Sequence, residues 1–257
     1  MITIRTKMVF ILFFRFFLSD LIAIDFNNTQ AKHSKIDEAL LFNYVQNRND
    51  VLYEPNSEVP FTGFIKKVYK NTQIDLMVRV SSGELVEIER WKENGIPIFS
   101  VGIIKGSMDL SNIPSGMDAL DDKLFNGLTR FWFSNGQIML ESNYKNGKRD
   151  GLTRSWYENG NPKVEESYKD GLKDGNAKSW FESGRKWMHY SHWKDKRDGP
   201  LTWWYENGQK RQVGNYKGGM RFGEWSYYQE DGKILYRKTF RDGQAISTEY
   251  GETSAKN

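Results

Sequence analysis

The chain predicts an all-β fold: an elongated single-layer antiparallel β-meander of repeated hairpins, with a short N-terminal helical cap. Three observations carry that expectation. Gly127, Gly151, Gly175, Gly199 and Gly223 recur every 24 residues. Five residues after each stands an aromatic (Trp132, Trp156, Trp180, Trp204, Tyr228), and nine after each a second glycine (Gly136, Gly160, Gly184, Gly208, Gly232). Only 38% of the 257 residues are hydrophobic while 15% are aromatic, which suits a sheet whose buried area comes from a few large rings. A fixed period of roughly 20 to 50 residues marks units that bury a face by stacking on their neighbours.

Within one unit, residues 151–174, the β-forming run Leu152–Tyr157 leads to Asn159-Gly160. Asn and Gly tolerate the positive φ angles of a two-residue type I′ turn, whose twist matches paired strands. Asn135-Gly136, Ser183-Gly184, Asn207-Gly208 and Asp231-Gly232 are the equivalents. A second strand then ends in Tyr144, Tyr168, Tyr216 or Phe240. It is followed by a turn at Asn146-Gly147, Asp170-Gly171, Gly218-Gly219 or Asp242-Gly243. In the third unit the aromatic taken as equivalent, Trp193, comes one residue late and the next turn is one residue shorter. That spacing predicts a β-bulge near Met188–His192.

The pattern of Gly151, Trp156, Tyr157, Asn159, Gly160, Tyr168, Asp170 and Gly171 resembles the MORN-repeat-variant family. The resemblance covers nearly all of residues 127–243 and, more loosely, 36–95, where Pro60-Phe61-Thr62-Gly63 looks like the family's opening segment. The function expected of the chain is that of a non-catalytic repeat scaffold for protein–protein interaction at the cell envelope. Some bacterial members are labelled antitoxins of toxin–antitoxin pairs, which would imply a toxin as partner.

Taken in order, residues 1–26 have the layout of a signal peptide or membrane anchor. Arg5 and Lys7 precede an apolar run from Met8 to Leu18 that holds Arg15 and is followed by Asp20. Export to the envelope or secretion is the expectation, with a cytoplasmic location as the alternative. Residues 27–53 form a lead-in and capping helix, with Ser34 as N-cap, Asp37 and Glu38 in the first turn, and Ile36, Leu40, Leu41, Tyr44 and Val45 on one face. Residues 54–95 make one degenerate unit opened by Gly63, with a hairpin at Gly83, Trp91 as its closing aromatic and Asn94-Gly95 as its last turn. Residues 96–126 are expected to be an irregular insertion, with room for one strand at Val101–Ile104, and residues 244–257 a tail expected to fray.

The chemistry of catalysis is missing from the sequence. There is no cysteine, which excludes disulfides and thiolate metal sites. Of three histidines, His189 and His192 lie three apart on a strand and so face opposite sides. No phosphate-binding glycine loop or nucleophile elbow occurs. No catalytic, cofactor-binding or metal-binding residue is assigned, and no cofactor. The formal charge of +4 comes from 37 basic and 33 acidic residues; in the repeats acids interrupt every basic run, which argues against a nucleic-acid groove.

The aromatics remain. Trp132, Trp156, Trp180 and Trp204 share one face, taken with the glycines as repeat structure. Phe131, Phe133, Tyr157, Phe181, Trp203, Tyr205 and Tyr227 point the other way. That second set is expected to form a partly exposed strip that binds an unidentified protein. Envelope glycan and lipid head groups are the alternative ligands, and the free edge of the last unit could accept a partner strand.

Overall fold

The computed structural model describes residues 39–49, 51–106, 113 and 120–251. The segment expected to direct export, residues 1–26, and residues 34–38 of the expected helix lie outside them. In chain order the strands are β1 (Leu40–Leu41), β2 (Gln46–Arg48), β3 (Val51–Tyr53), β4 (Gly63–Val68), β5 (Ile74–Ser81), β6 (Glu84–Trp91), β7 (Pro97–Ile103), β8 (Phe125–Trp132), β9 (Ile138–Lys145) and β10 (Lys148–Trp156). They continue as β11 (Pro162–Lys169), β12 (Leu172–Trp180), β13 (Lys186–Trp193), β14 (Lys196–Arg197), β15 (Gly199–Trp204), β16 (Lys210–Lys217), β17 (Met220–Tyr228), β18 (Ile234–Arg241) and β19 (Gln244–Tyr250). From β4 onward each strand pairs antiparallel with the next, β14 and β15 both lying along β13. With β1 added in parallel beside β4, the result is one open 17-stranded sheet, while β2 and β3 form a separate hairpin.

The expected cap is therefore not helical where it is described. Leu40 and Leu41 pair with Ile65 and Lys66, and the Phe42 N–H donates to the Lys66 carbonyl at 2.7 Å. A helix this short gains little by itself, whereas the edge of β4 offers backbone groups that need partners. The tail is not frayed up to Tyr250 either, because Gln244–Tyr250 pair along β18.

The two turn types differ. At Asn146-Gly147 both φ angles are positive (49° and 75°) and Lys145 pairs with Lys148, a two-residue primed turn of the type expected at Asn159-Gly160 and its equivalents. Asp170-Gly171, Gly218-Gly219 and Asp242-Gly243 repeat it. At Asn135-Gly136 only the glycine is left-handed. Phe133 donates to the Gln137 carbonyl at 2.8 Å and Gly136 to the Phe133 carbonyl at 3.0 Å, so three residues are enclosed, a turn closed by a glycine bulge rather than type I′. The same bonds recur at Gly95, Gly160, Gly184, Gly208 and Gly232.

Asparagine favours this geometry because its side chain bonds in two directions. Asn135 Oδ1 accepts from the Gln137 N–H (2.9 Å), while its Nδ2 donates to the Glu158 carbonyl of the next unit (2.9 Å). Asn159 and Asn207 do the same, reaching Glu182 and Glu230. Tyr157 and Tyr205 add hydroxyl bonds to the Trp180 and Tyr228 carbonyls, both 2.9 Å. Each repeat is thus tied to its successor at the loop end as well as along the strands.

The third unit carries no extra residue. Gly175 pairs with His192 as Gly151 pairs with Tyr168, so His192, not Trp193, occupies the ring position. The turn after it is a two-residue turn with Lys194 and Asp195 both at positive φ. The register shift between His189 and His192, opposite Gly199, is one that every repeat glycine carries: Arg149 faces Tyr144 whereas Thr153 faces Ser142, with Gly151 at φ 108° between them. A left-handed residue at that shift is strained unless it is glycine, which gives the 24-residue signal its cause.

The early region, expected to hold one degenerate unit opened by Gly63, holds two. Asn94-Gly95 is the first-type turn, which makes Trp91 the equivalent of Trp132, and Ser82-Gly83 is a primed turn. Tyr69 bonds the Trp91 carbonyl and Asn71 the Glu93 carbonyl, as the later tyrosines and asparagines do. Residues 63–85 and 86–106 are thus two further units, and β7 belongs to the second. After Gly106, Ile113 and Leu120 pack on the core, and Asp121 caps a 3-10 turn, Asp122–Leu124.

Candidate interaction face

Cross-strand register defines what each face carries. Ile65, Val78, Ile88, Val101, Thr129, Ser142, Thr153, Glu166, Ala177 and Tyr190 form one unbroken row of neighbours. From Ile65 to Ala177 all are buried. Farther along, Leu201 faces Gly214 and Trp225 faces Lys238. At its start the row belongs to a core of β4–β8 that includes Leu52, Phe61, Leu76, Phe99 and Phe125. At its end it belongs to a second cluster of Leu201, Trp225 and Phe240. A Cβ on Gly214 would come within 2.2 Å of the Trp225 ring, so this glycine is the seat of that ring.

Phe131, Trp203 and Tyr227 follow this row by two residues, so the set expected to form a partly exposed strip lies on the same side of the sheet as the packed row. Phe131 is 6% exposed, inside the N-terminal core near Phe125; the other six are half-buried. Phe181, Trp203 and Tyr205 come together. Phe181 lies 6.1 Å from Trp187, Trp187 lies 6.4 Å edge-on from Trp203, and the Arg211 guanidinium sits 4.2 Å over Trp203 and 5.5 Å from Tyr205. Tyr227 stacks 4.4 Å from Tyr236, which meets Tyr250. Tyr157 is covered by Lys163. The tryptophans 132, 156, 180 and 204, with Tyr228, are half-buried.

Trp187 and Arg211 were not singled out in the sequence. Both stand twelve residues after a repeat glycine, a column otherwise filled by Met139, Lys163 and Leu235, with no common chemistry to mark it. The register shift after the turn brings them beside the aromatic six residues after that glycine. Trp187 is 37% exposed and Arg211 is exposed, so the centre of the strip reaches solvent.

Between the two apolar clusters the packed face is ionic. Glu166 accepts from Lys173 Nζ (2.6 Å), the Tyr190 hydroxyl (3.1 Å) and the Tyr168 hydroxyl (2.8 Å). Burial works against its charge, but the bonds from Lys173 and Tyr168 and the charge of Lys173 outweigh it and hold the carboxyl below its ordinary range. Burial, and then the Glu166 charge, push the Tyr190 hydroxyl up to about 12. Arg149 reaches the Tyr144 and Tyr168 hydroxyls, and Arg197 lies over Tyr190 and Tyr216. Burial and the charge of Lys173 lower the pKa of His192, which meets Tyr190 edge-on. This network supplies polar satisfaction in place of apolar packing.

The opposite face carries a ladder of alternating charge: Arg130 to Glu141 (2.9 Å), Glu141 to Arg154 (3.6 Å), Arg154 to Glu165 (3.2 Å) and Glu165 to Lys178 (3.1 Å). His189 follows Lys178 in register, on the face away from His192. Among the described residues no group of three His, Asp or Glu side chains could hold a metal.

Four segments, residues 125–146, 149–170, 197–217 and 223–242, match the model of the MORN repeat variant family. The unmatched third unit is the one with Ser183 in the asparagine position and His192 in the ring position. That family is a non-enzymatic repeat module of the protein- or membrane-binding kind. No curated protein matches the chain.

Proposed function

The repeat region, residues 125–242, belongs to the MORN repeat variant family, and from that premise we propose that this chain is a protein-binding scaffold. It acts through the strip of Phe181, Trp187, Trp203, Tyr205 and Arg211. The observation that carries the reading is Arg211 held over Trp203 beside the half-open Trp187. Tryptophan, tyrosine and arginine dominate the energetics of protein interfaces because they bring large area at a small entropic cost. Work at the cell envelope is the extension suggested by residues 1–26.

A photo-crosslinker placed at Trp187 in the producing cells, followed by purification of the captured protein, tests the reading directly. The isolated partner should bind the full chain at least tenfold more weakly after Arg211→Ala, with Arg237→Ala as a control on the other face. Capture of wall polysaccharide alone would replace it with the glycan reading.

A second reading has its own observation. At the primed-turn edge, exposed Lys145, Lys148, Lys169, Lys196 and Lys217 alternate with exposed Leu172, Trp193 (57%), Met220 and Phe222. Basic residues interleaved with apolar tips suit an anionic lipid surface. Co-sedimentation with vesicles containing phosphatidylserine, but not with neutral vesicles, would favour it.

A further inference from the structure

We propose that β19 pairs with β19 of a second copy of this chain, antiparallel and centred on Thr248. The surface is separate from the aromatic strip. At one end of the open sheet β1 adds beside β4, and Leu52 of the β2–β3 hairpin closes over the core. At the other end β18 lies on one side of β19, and among the described residues no strand pairs with its other side. All seven of its residues are exposed, Ile246 by 54% and Tyr250 by 76%.

The backbone says which groups are free. The Gly251 N–H donates to the Leu235 carbonyl at 3.0 Å. Successive residues of an antiparallel strand bond to alternate sides, so Glu249 and Ser247, opposite Arg237 and Thr239, also bond towards β18. Thr248 and Tyr250 therefore turn their N–H and C=O groups to the open edge. Such an edge templates pairing unless lysine, proline or a bulge guards it. The register shift beside Ala245 blunts only the start of the strand, and Ser247–Tyr250 hold neither lysine nor proline.

The side chains select the occupant. Centred on Thr248, the two strands place Tyr250 of each opposite Ile246 of the other, matching two exposed apolar side chains twice. Glu249 then faces Ser247 of the second copy. A register centred on Glu249 would instead oppose two carboxylates, which is unfavourable. The contact is isologous, as twofold symmetry requires. A single strand pair is far smaller than a standard interface of about 1,600 Å², so the dimer is weak and depends on concentration.

The chain has no cysteine of its own, so one introduced thiol reports the register. Thr248→Cys sets the paired Cα atoms about 5.5 Å apart, within the range of about 4.4–6.8 Å that a disulfide spans. Glu249→Cys leaves its thiols facing Ser247. Under mild oxidation the full-length Thr248→Cys chain should form a covalent dimer and the Glu249→Cys chain should not. Sedimentation equilibrium should show an association constant at least tenfold lower for Thr248→Pro and for Ile246→Lys, each first verified as folded by circular dichroism. Linking only through Glu249→Cys, linking through neither, or association unchanged by both substitutions would overturn the proposal.

Discussion

In the hairpins between Gly63 and Trp132 the packed row carries Ile65, Val78, Ile88 and Val101, with the β2–β3 hairpin folded over their neighbours. Between Gly151 and Trp193 the same row carries Thr153, Glu166, Ala177 and Tyr190. The backbone pairing is alike in both regions, so strand hydrogen bonds do not decide how a face is buried. Large aliphatic side chains need a second layer above them. Small and ionic ones are satisfied within the sheet, by Lys173, Tyr168 and Tyr190 around Glu166. One hairpin unit thus supports two kinds of interior, and the ionic stretch lies directly before the aromatic strip.

The largest effect should come from the aliphatic half. Phe99→Ala empties a site that is almost fully buried and should cost about 3–5 kcal/mol by denaturant unfolding. A cost below about 1 kcal/mol would mean that the two halves are packed alike. Next comes Gly214→Ala, whose Cβ collides with Trp225. It should cost about 1–3 kcal/mol, with faster hydrogen exchange concentrated in β15–β18 and the exchange of β4–β7 unchanged.

Glu166→Gln should cost less, about 1–2 kcal/mol, because Lys173 is partly exposed and its attraction screened. Its sharper readout is spectroscopic: without the carboxylate, the Tyr190 titration should move down from about 12. If that titration stayed in place, the carboxylate would not be what holds it there.

The pH response follows from the same groups. Glu166 and His192 both have lowered pKa values in the fold. The unfolded chain therefore binds protons first, and the stability they give is present above their ordinary values of 4.5 and 6.5. It is lost as pH falls, first through the histidine range and then through the carboxylate range. Tyr190 acts oppositely: its contribution is full below 10.0 and is lost as pH rises towards about 12. Melting temperatures across pH should show these steps, and His192→Phe should remove the first. The smallest effect is that of Asn207→Ala, which breaks a tie between units and should cost about 0.5–1.5 kcal/mol.

Much of this was legible in the residues. The glycine period, the hairpins and the places of the turns appear as expected, because each rests on backbone geometry that few residue types can adopt; the type I′ geometry expected at Asn159-Gly160 and its equivalents gives way to a glycine bulge. The early region reads as one degenerate unit rather than two because Val68 fills the tryptophan position of the first and Val86 the glycine position of the second, while the turns that reveal their phase persist. Trp193 was mistaken for the ring of the third unit because an aromatic stood one place from the register position that His192 fills. Of the expected binding residues, Phe181, Trp203 and Tyr205 converge and Phe131 does not. Trp187 and Arg211 were beyond reach, since the shift that brings them in depends on how strands pair after the turn.

By itself the sequence determined the repeated unit, the places of its turns and its open, meandering order, because these follow from φ restrictions and a strict period acting within about two dozen residues. Tertiary structure decided which side of the sheet is packed, where a second layer covers it, which charges are buried and which edge stays unpaired. Those outcomes depend on residues brought together across strands, where register rather than distance along the chain sets each neighbour.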